Sequence, residues 1–179
     1  MSARVTRSFA GYPAWSPDGL TLAFVTLGAD GGAVRAVPAE GGPERVVATT
    51  AQRFRRICWS PDALWIAASV RAEQGGWKVG VAPSAGGKFR EVLEDARAPL
   101  WLADGRLIFA REGLPGSWDL WSVRMGPQAA PQRDSERRLT VFPRGESADR
   151  ERGVSTDGRF LYLPIEQLNA SDVWLGEAR

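Results

Sequence analysis

Short apolar runs, each closed by a turn signal, follow one another along the chain from about Tyr12 to Leu175. Leu22 to Val25, Ile66 to Val70, Leu107 to Ala110 and Phe160 to Leu163 are apolar on both faces, with Ser69 the one clearly polar residue among them. That pattern suits strands enclosed on both faces and not a sheet with one side in water. A sustained helical period is absent, so the expected class is all-β.

The runs belong to a repeat. Trp15-Ser16-Pro17-Asp18-Gly19 followed by Leu20 to Phe24 returns as Trp59-Ser60-Pro61-Asp62-Ala63 followed by Leu64 to Ala68. It returns again as Trp101-Leu102-Ala103-Asp104-Gly105 followed by Arg106 to Phe109, one residue shorter, and as Val154-Ser155-Thr156-Asp157-Gly158 followed by Arg159 to Leu163. The first three copies are spaced by 44 and 42 residues, and the last interval is 53. Asp-Gly tolerates positive φ at both positions, so each copy predicts a tight turn between two strands. Asp62-Ala63 departs from this, because alanine resists positive φ, and predicts a looser second turn.

The second half of each unit repeats as well. Val37-Pro38-Ala39-Glu40-Gly41-Gly42 matches Ala82-Pro83-Ser84-Ala85-Gly86-Gly87, and each leads into one more strand. Trp118-Asp119-Leu120-Trp121 and Ser171-Asp172-Val173-Trp174 fill the corresponding strand of the third and fourth units. The polar stretch from Gly126 to Glu136 reads as an exposed loop that lengthens the third interval. About four strands in a period of roughly 42 to 45 residues is the signature of a propeller blade.

Trp-Ser-Pro-Asp-Gly, an apolar strand and a Pro-x-x-Gly-Gly hairpin together resemble the TolB-like, WD-repeat-like β-propeller repeat. The same repeat occurs in the propeller domains of prolyl-oligopeptidase-type and tricorn-type peptidases, and in sensory C-terminal regions of bacterial kinases and transcription regulators. The resemblance implies a single β-propeller domain over residues 1–179, with about four blades of four antiparallel strands at residues 12–50, 56–95, 99–142 and 153–176. Propellers of this type usually have six or more blades, so the expectation is an incomplete, truncated propeller. Residues 1–10, with Arg4 to Ser8, read as the closing strand of a preceding or of the last blade.

Composition removes whole classes of chemistry. The chain has no histidine, which excludes Ser-His-Asp and Cys-His nucleophile systems and histidine metal sites. It has one cysteine, Cys58, so no intrachain disulfide and no cysteine zinc cluster can form. A net charge of +2 does not by itself call for nucleic acid, and no apolar run is long enough for a membrane span. The N-terminus lacks the apolar stretch of a secretory signal, which points to the cytoplasm as written, and to the periplasm if residues precede it. Neither a nucleophile elbow nor a phosphate-cradling glycine loop is present. The expectation is therefore no catalytic residue, no cofactor and no metal site.

Candidate recognition residues remain. Trp15, Trp59 and Trp101 keep a fixed place before the turn and predict blade-to-blade packing. Asp18, Asp62, Asp104 and Asp157 predict turn chemistry, not a cation ring. Trp65, Trp77 and Trp118 lie off the packing register and are candidates for contact with a partner. Arg53, Arg55 and Arg56 have no acid beside them and form the more promising basic patch. The function expected from these features is a non-catalytic scaffold that binds a protein or peptide, and open blade faces would favour self-association. The alternative is the substrate-gating propeller of a serine peptidase, or the sensory domain of a kinase or regulator.

Overall fold

The structure is a computed structural model that describes residues 10–28, 31–143, 145–148, 154–167 and 170–177. It contains four antiparallel sheets in chain order. The first holds β1 (Ala10–Trp15), β2 (Thr21–Gly28), β3 (Gly31–Pro38) and β4 (Arg45–Thr50); the second β5 (Phe54–Trp59), β6 (Trp65–Arg71), β7 (Trp77–Pro83) and β8 (Arg90–Leu93). The third holds β9 (Arg97–Trp101), β10 (Arg106–Glu112), β11 (Trp118–Met125) and β12 (Pro131–Arg138). In the fourth, β13 (Glu146–Ala148) and β14 (Ser155–Thr156) pair in tandem along one edge of β15 (Phe160–Gln167), and β16 (Ala170–Glu177) takes the other edge.

The doubly apolar runs are explained by this stacking. Ile66, Ala68 and Val70 of β6 pack with Val25, Val34 and Ala36 of the first sheet. Ala67, between them in sequence, packs with Leu107 and Phe109 of the third sheet. Ile108 and Ala110 then meet Leu163 and Ile165 of the fourth. Successive side chains of a strand point to opposite faces, so a strand between two sheets is apolar on both faces, and a buried polar residue within it needs a partner, as Ser69 has in the Ala98 N–H at 2.8 Å. Gly80 of β7 is small for a related reason: a Cβ there would lie 2.3 Å from Cζ of Phe89.

β1, β5 and β9 run side by side at the convergence of the blades. Each carries a bulge at the same repeat position, where Tyr12, Arg56 and Ala98 adopt φ of 54°, 39° and 50°. Trp59 lies three residues further on, is 8 % exposed, and donates its indole N–H to the Ala14 carbonyl of the preceding sheet at 3.0 Å. That is the expected packing between blades. Trp15 differs, being 57 % exposed, and no sheet precedes its own among the described residues.

The first two turns repeat atom for atom. Ser16 and Ser60 each donate the hydroxyl to the carboxylate two residues on at 2.5 Å, and each hydroxyl accepts the backbone N–H five residues on at 2.9 Å. Asp62-Ala63 does not loosen, contrary to expectation. Ala63 N–H still donates to Ser60 O at 2.9 Å, as Gly19 does to Ser16 O, and Ala63 accepts φ of 58°. The surrounding hydrogen bonds impose the geometry and leave the strain in the alanine. Ala63→Gly is accordingly expected to raise stability by about 1 kcal/mol, read as a higher urea midpoint at unchanged m-value. An unchanged or lower midpoint would contradict this reading of the turn.

The hydrogen bonds also set a pH dependence. The Ser16 hydroxyl and the Leu20 N–H hold the Asp18 carboxyl below the usual carboxylate range, and the Ser60 hydroxyl does the same for Asp62. A depressed folded pKa stabilises the fold above the unfolded pKa, and that contribution is lost as pH falls through the folded value. Stability should therefore hold from neutral pH down to roughly pH 5 and fall below about pH 4. The Ser16→Ala, Ser60→Ala pair should show a smaller loss between those limits, measured as urea midpoints at both ends of the range.

One expectation fails in part. Gly126 to Ala130 is a connection with a short 3-10 turn at Pro127–Ala129, but the remainder of the stretch read as a loop, from Pro131 to Glu136, belongs to a strand, β12 (Pro131–Arg138). β12 is the outermost strand of its sheet, pairing Gln132 with Arg124 and Arg138 with Trp121. Such an edge meets water widely and shows neither an apolar run nor alternation. The extra length of the third interval instead lies beyond β12. The proposed closing strand from Arg4 to Ser8 lies outside the described residues.

Candidate functional site

The antiparallel topology gives the molecule two ends. The links β4–β5 and β8–β9, with the hairpins β6–β7 and β10–β11, gather at what is here termed the crossover end. The Ser-Pro-Asp turns and the hairpins β7–β8 and β11–β12 occupy the opposite, turn end.

At the crossover end the repeat builds a stack of guanidinium groups and indoles. Trp77 and Trp118 open β7 and β11 in the same register, paired with Arg71 and Glu112 of the preceding strands. Arg55 and Arg97 likewise share a register, each four residues before the packing tryptophan of its blade. Arg97 lies with its guanidinium carbon 5.0 Å from the Trp77 ring centre and 5.1 Å from that of Trp118. Arg55 and Arg71 approach Trp77 at 5.4 and 5.5 Å, and Arg56 approaches the Tyr12 ring at 6.0 Å. Guanidinium groups at such distances are attracted to the ring quadrupole, more strongly where water is excluded, as around buried Arg97.

A cleft of about 510 Å³ opens beside Trp77 and Arg71. Its outer wall carries Glu73, Glu91, Glu94 and Asp95. Lys78 bridges two of these at 2.8 Å to Glu91 and 3.2 Å to Glu94, and those carboxylates raise its pKa. The end thus has a basic, aromatic inner side and an acidic outer one.

Four of the six candidate recognition residues come together here: Arg55, Arg56, Trp77 and Trp118. Arg53 does not join them. It starts the approach to β5, is exposed, and offers its carbonyl to Arg71 N–H at 3.3 Å. Trp65 lies at the turn end, in a different cleft. The candidates missed from sequence are Tyr12, Arg71 and Arg97, and the repeat register was the available signal for Arg97. Cys58 is half-buried, and burial pushes its thiol up to about 12, so it offers no thiolate near neutral pH.

Asp18, Asp62 and Asp104 all serve their own turns, and no group of three or more potential metal-ligating side chains occurs among the described residues.

No family model matches the sequence, and no curated protein matches it significantly. Solved structures do. A TolB-like protein from Agrobacterium tumefaciens superposes with a TM-score of 0.74 at 24 % identity, over 96 % of this chain and 59 % of that one. A structure from a study of two prolyl endopeptidases gives 0.68 at 17 %, over 95 % of this chain and 27 % of that one. The β-propeller domain of the trilobed protease from Pyrococcus furiosus gives 0.63 at 14 %, over 95 % and 54 %. The chain therefore spans less than two thirds of the length of each. At these identities the likeness concerns architecture, and the chain has the TolB-like β-propeller fold that peptidase propeller domains also carry.

Proposed function

We propose that this propeller is a non-catalytic binding module that takes a protein or peptide partner at the crossover end. The observation that carries the reading is the convergence of Arg55, Arg71 and Arg97 on the Trp77 ring beside an open cleft. Tryptophan and arginine dominate binding energy at protein interfaces, because each offers a large contact area with a directional polar group. Here both sit on strands held rigidly by the blades, so a partner would bind with little ordering of the site. The segregated charge favours a peptide that bears an acidic or carboxylate group inward and a basic group outward.

The test begins with the tightest binder from a displayed library of random linear peptides. Trp77→Ala is expected to weaken that peptide at least about tenfold, and Arg71→Ala about fivefold. Val141→Ser, at an exposed position away from the cleft, should leave affinity unchanged. Peptides whose affinity ignores both crossover-end changes would defeat the proposal.

The resemblance to a prolyl endopeptidase propeller favours a second reading, a substrate-gating role beside a catalytic domain on another segment. A peptidase domain that binds this chain, with cleavage of long peptides altered by Trp77→Ala, would select that reading.

A further inference from the structure

A second cleft, of about 470 Å³, lies at the turn end between the second and third blades. Two equivalent turns form its sides, bringing in Asp62, Leu64 and Trp65 from one blade and Trp101 and Asp104 from the next. The β11–β12 connection closes it with Met125 and Gln128. Its walls are therefore two indoles and a thioether, and its charged lining groups among the described residues are two carboxylates. Arg106 pairs with Asp104, donating Nε to Oδ2 at 2.6 Å. Asp62 is different. Its Oδ1 accepts the Ser60 hydroxyl and the Leu64 N–H, while no cation pairs with it among the described residues. These hydrogen bonds lower its pKa, so the charge is present at neutral pH.

The backbone around this cleft is strained. Ala63, Gln128 and Ala129 hold φ of 58°, 54° and 51°, a region that L-residues with a Cβ seldom occupy. The connection is pinned in place across the blades by Arg90, whose Nη2 donates to Gln128 O at 2.5 Å. Strain maintained by outside contacts is typical of binding surfaces. Aromatic walls with an unneutralised carboxylate complement a cation that has an apolar stem. Leu64, 62 % exposed on the rim, adds an apolar contact that a peptide can use and a free amine cannot.

We propose that this cleft receives a lysine or arginine side chain from a peptide segment of a partner. The site is separate from the crossover end, so the turn-end test can succeed or fail whatever happens there. The probes are acetyl-Gly-Lys-Leu-amide, the same peptide with norleucine for lysine, butylammonium and methyl glucoside, followed through the indole N–H resonances of Trp65 and Trp101. The lysine peptide should produce saturable shifts and the norleucine peptide none. Asp62→Asn keeps the Oδ1 acceptor and hence the turn, and should weaken the lysine peptide about fivefold. Leu64→Ser should weaken the peptide and leave butylammonium unaffected. Shifts from methyl glucoside alone would reassign the cleft to saccharides and overturn the proposal. Equal affinity for butylammonium and the peptide would make it a small-amine site and overturn peptide docking. No saturable shift from any probe would overturn it as well.

Discussion

Replacing Asp119 with alanine is expected to lower the folding free energy by about 3 kcal/mol, at the lower end of the range for breaking a buried ion pair. Asp119 sits in β11 with 0 % exposure. Its Oδ2 accepts the Arg138 guanidinium, and its Oδ1 accepts Phe142 N–H at 2.9 Å. Thr140, which accepts Leu120 N–H at 2.9 Å, also donates weakly to that carboxylate. One carboxylate therefore ties the third strand of the blade to the chain leaving its outermost strand. Alanine would strand an arginine and a backbone donor together, and only the partial exposure of Arg138 limits the loss. Domain stabilities run about 5–15 kcal/mol, so the variant should unfold at a much lower urea concentration. Asp119→Asn restores the acceptor for Phe142 without the charge and should recover part of the loss. Equal midpoints for wild type and Asp119→Ala would show that the network is ornamental to the fold.

Phe54→Ala should be of similar or greater consequence, at about 3–5 kcal/mol. Phe54 opens β5 with 1 % exposure and packs in the layer between the first two sheets. Its ring meets that of Phe89 edge to face with centroids 4.8 Å apart. Gly32 of the first sheet is small where β5 begins, since a Cβ there would lie 2.9 Å from Gln52 O and 3.0 Å from Phe54 N, with the ring edge at 3.3 Å. Rigid backbone on one side and a second ring on the other leave little room for collapse into the cavity. Phe54→Leu should cost distinctly less. Loss confined to the first two blades, seen as faster amide exchange there and not in β9 to β12, would also show that the blades are coupled only through neighbours.

The parts of this fold that were legible in sequence are those governed by local chemistry. Ser-Pro-Asp turns bond their own backbones, and strands held between two sheets have no polar face to show. Polar outer strands escape that logic, which is why the strand residues Pro131 to Glu136 are hidden in the stretch from Gly126 to Glu136 that reads as a loop. Ala63 misleads in the opposite way: the hydrogen bonds of Ser60 and Asp62 outweigh its own preference. In the site, Arg55 and Trp77 stand out as basic and aromatic residues away from the packing register. Arg97 became meaningful only through its equivalence with Arg55, and Arg71 only through its pairing with Trp77 across a hairpin. Trp65 looked the same as Trp77 in sequence, yet strand direction sends it to the other end.

Hydrogen exchange of the intact chain with and without the selected library peptide would locate the bound partner on the propeller. Slowed exchange is expected in residues 50–52, 71–78 and 94–98, which carry or flank the Trp77 cluster, with residues 60–65 and 101–105 unchanged. Protection confined to the turn end, or spread evenly through all four sheets, would contradict binding at the crossover end.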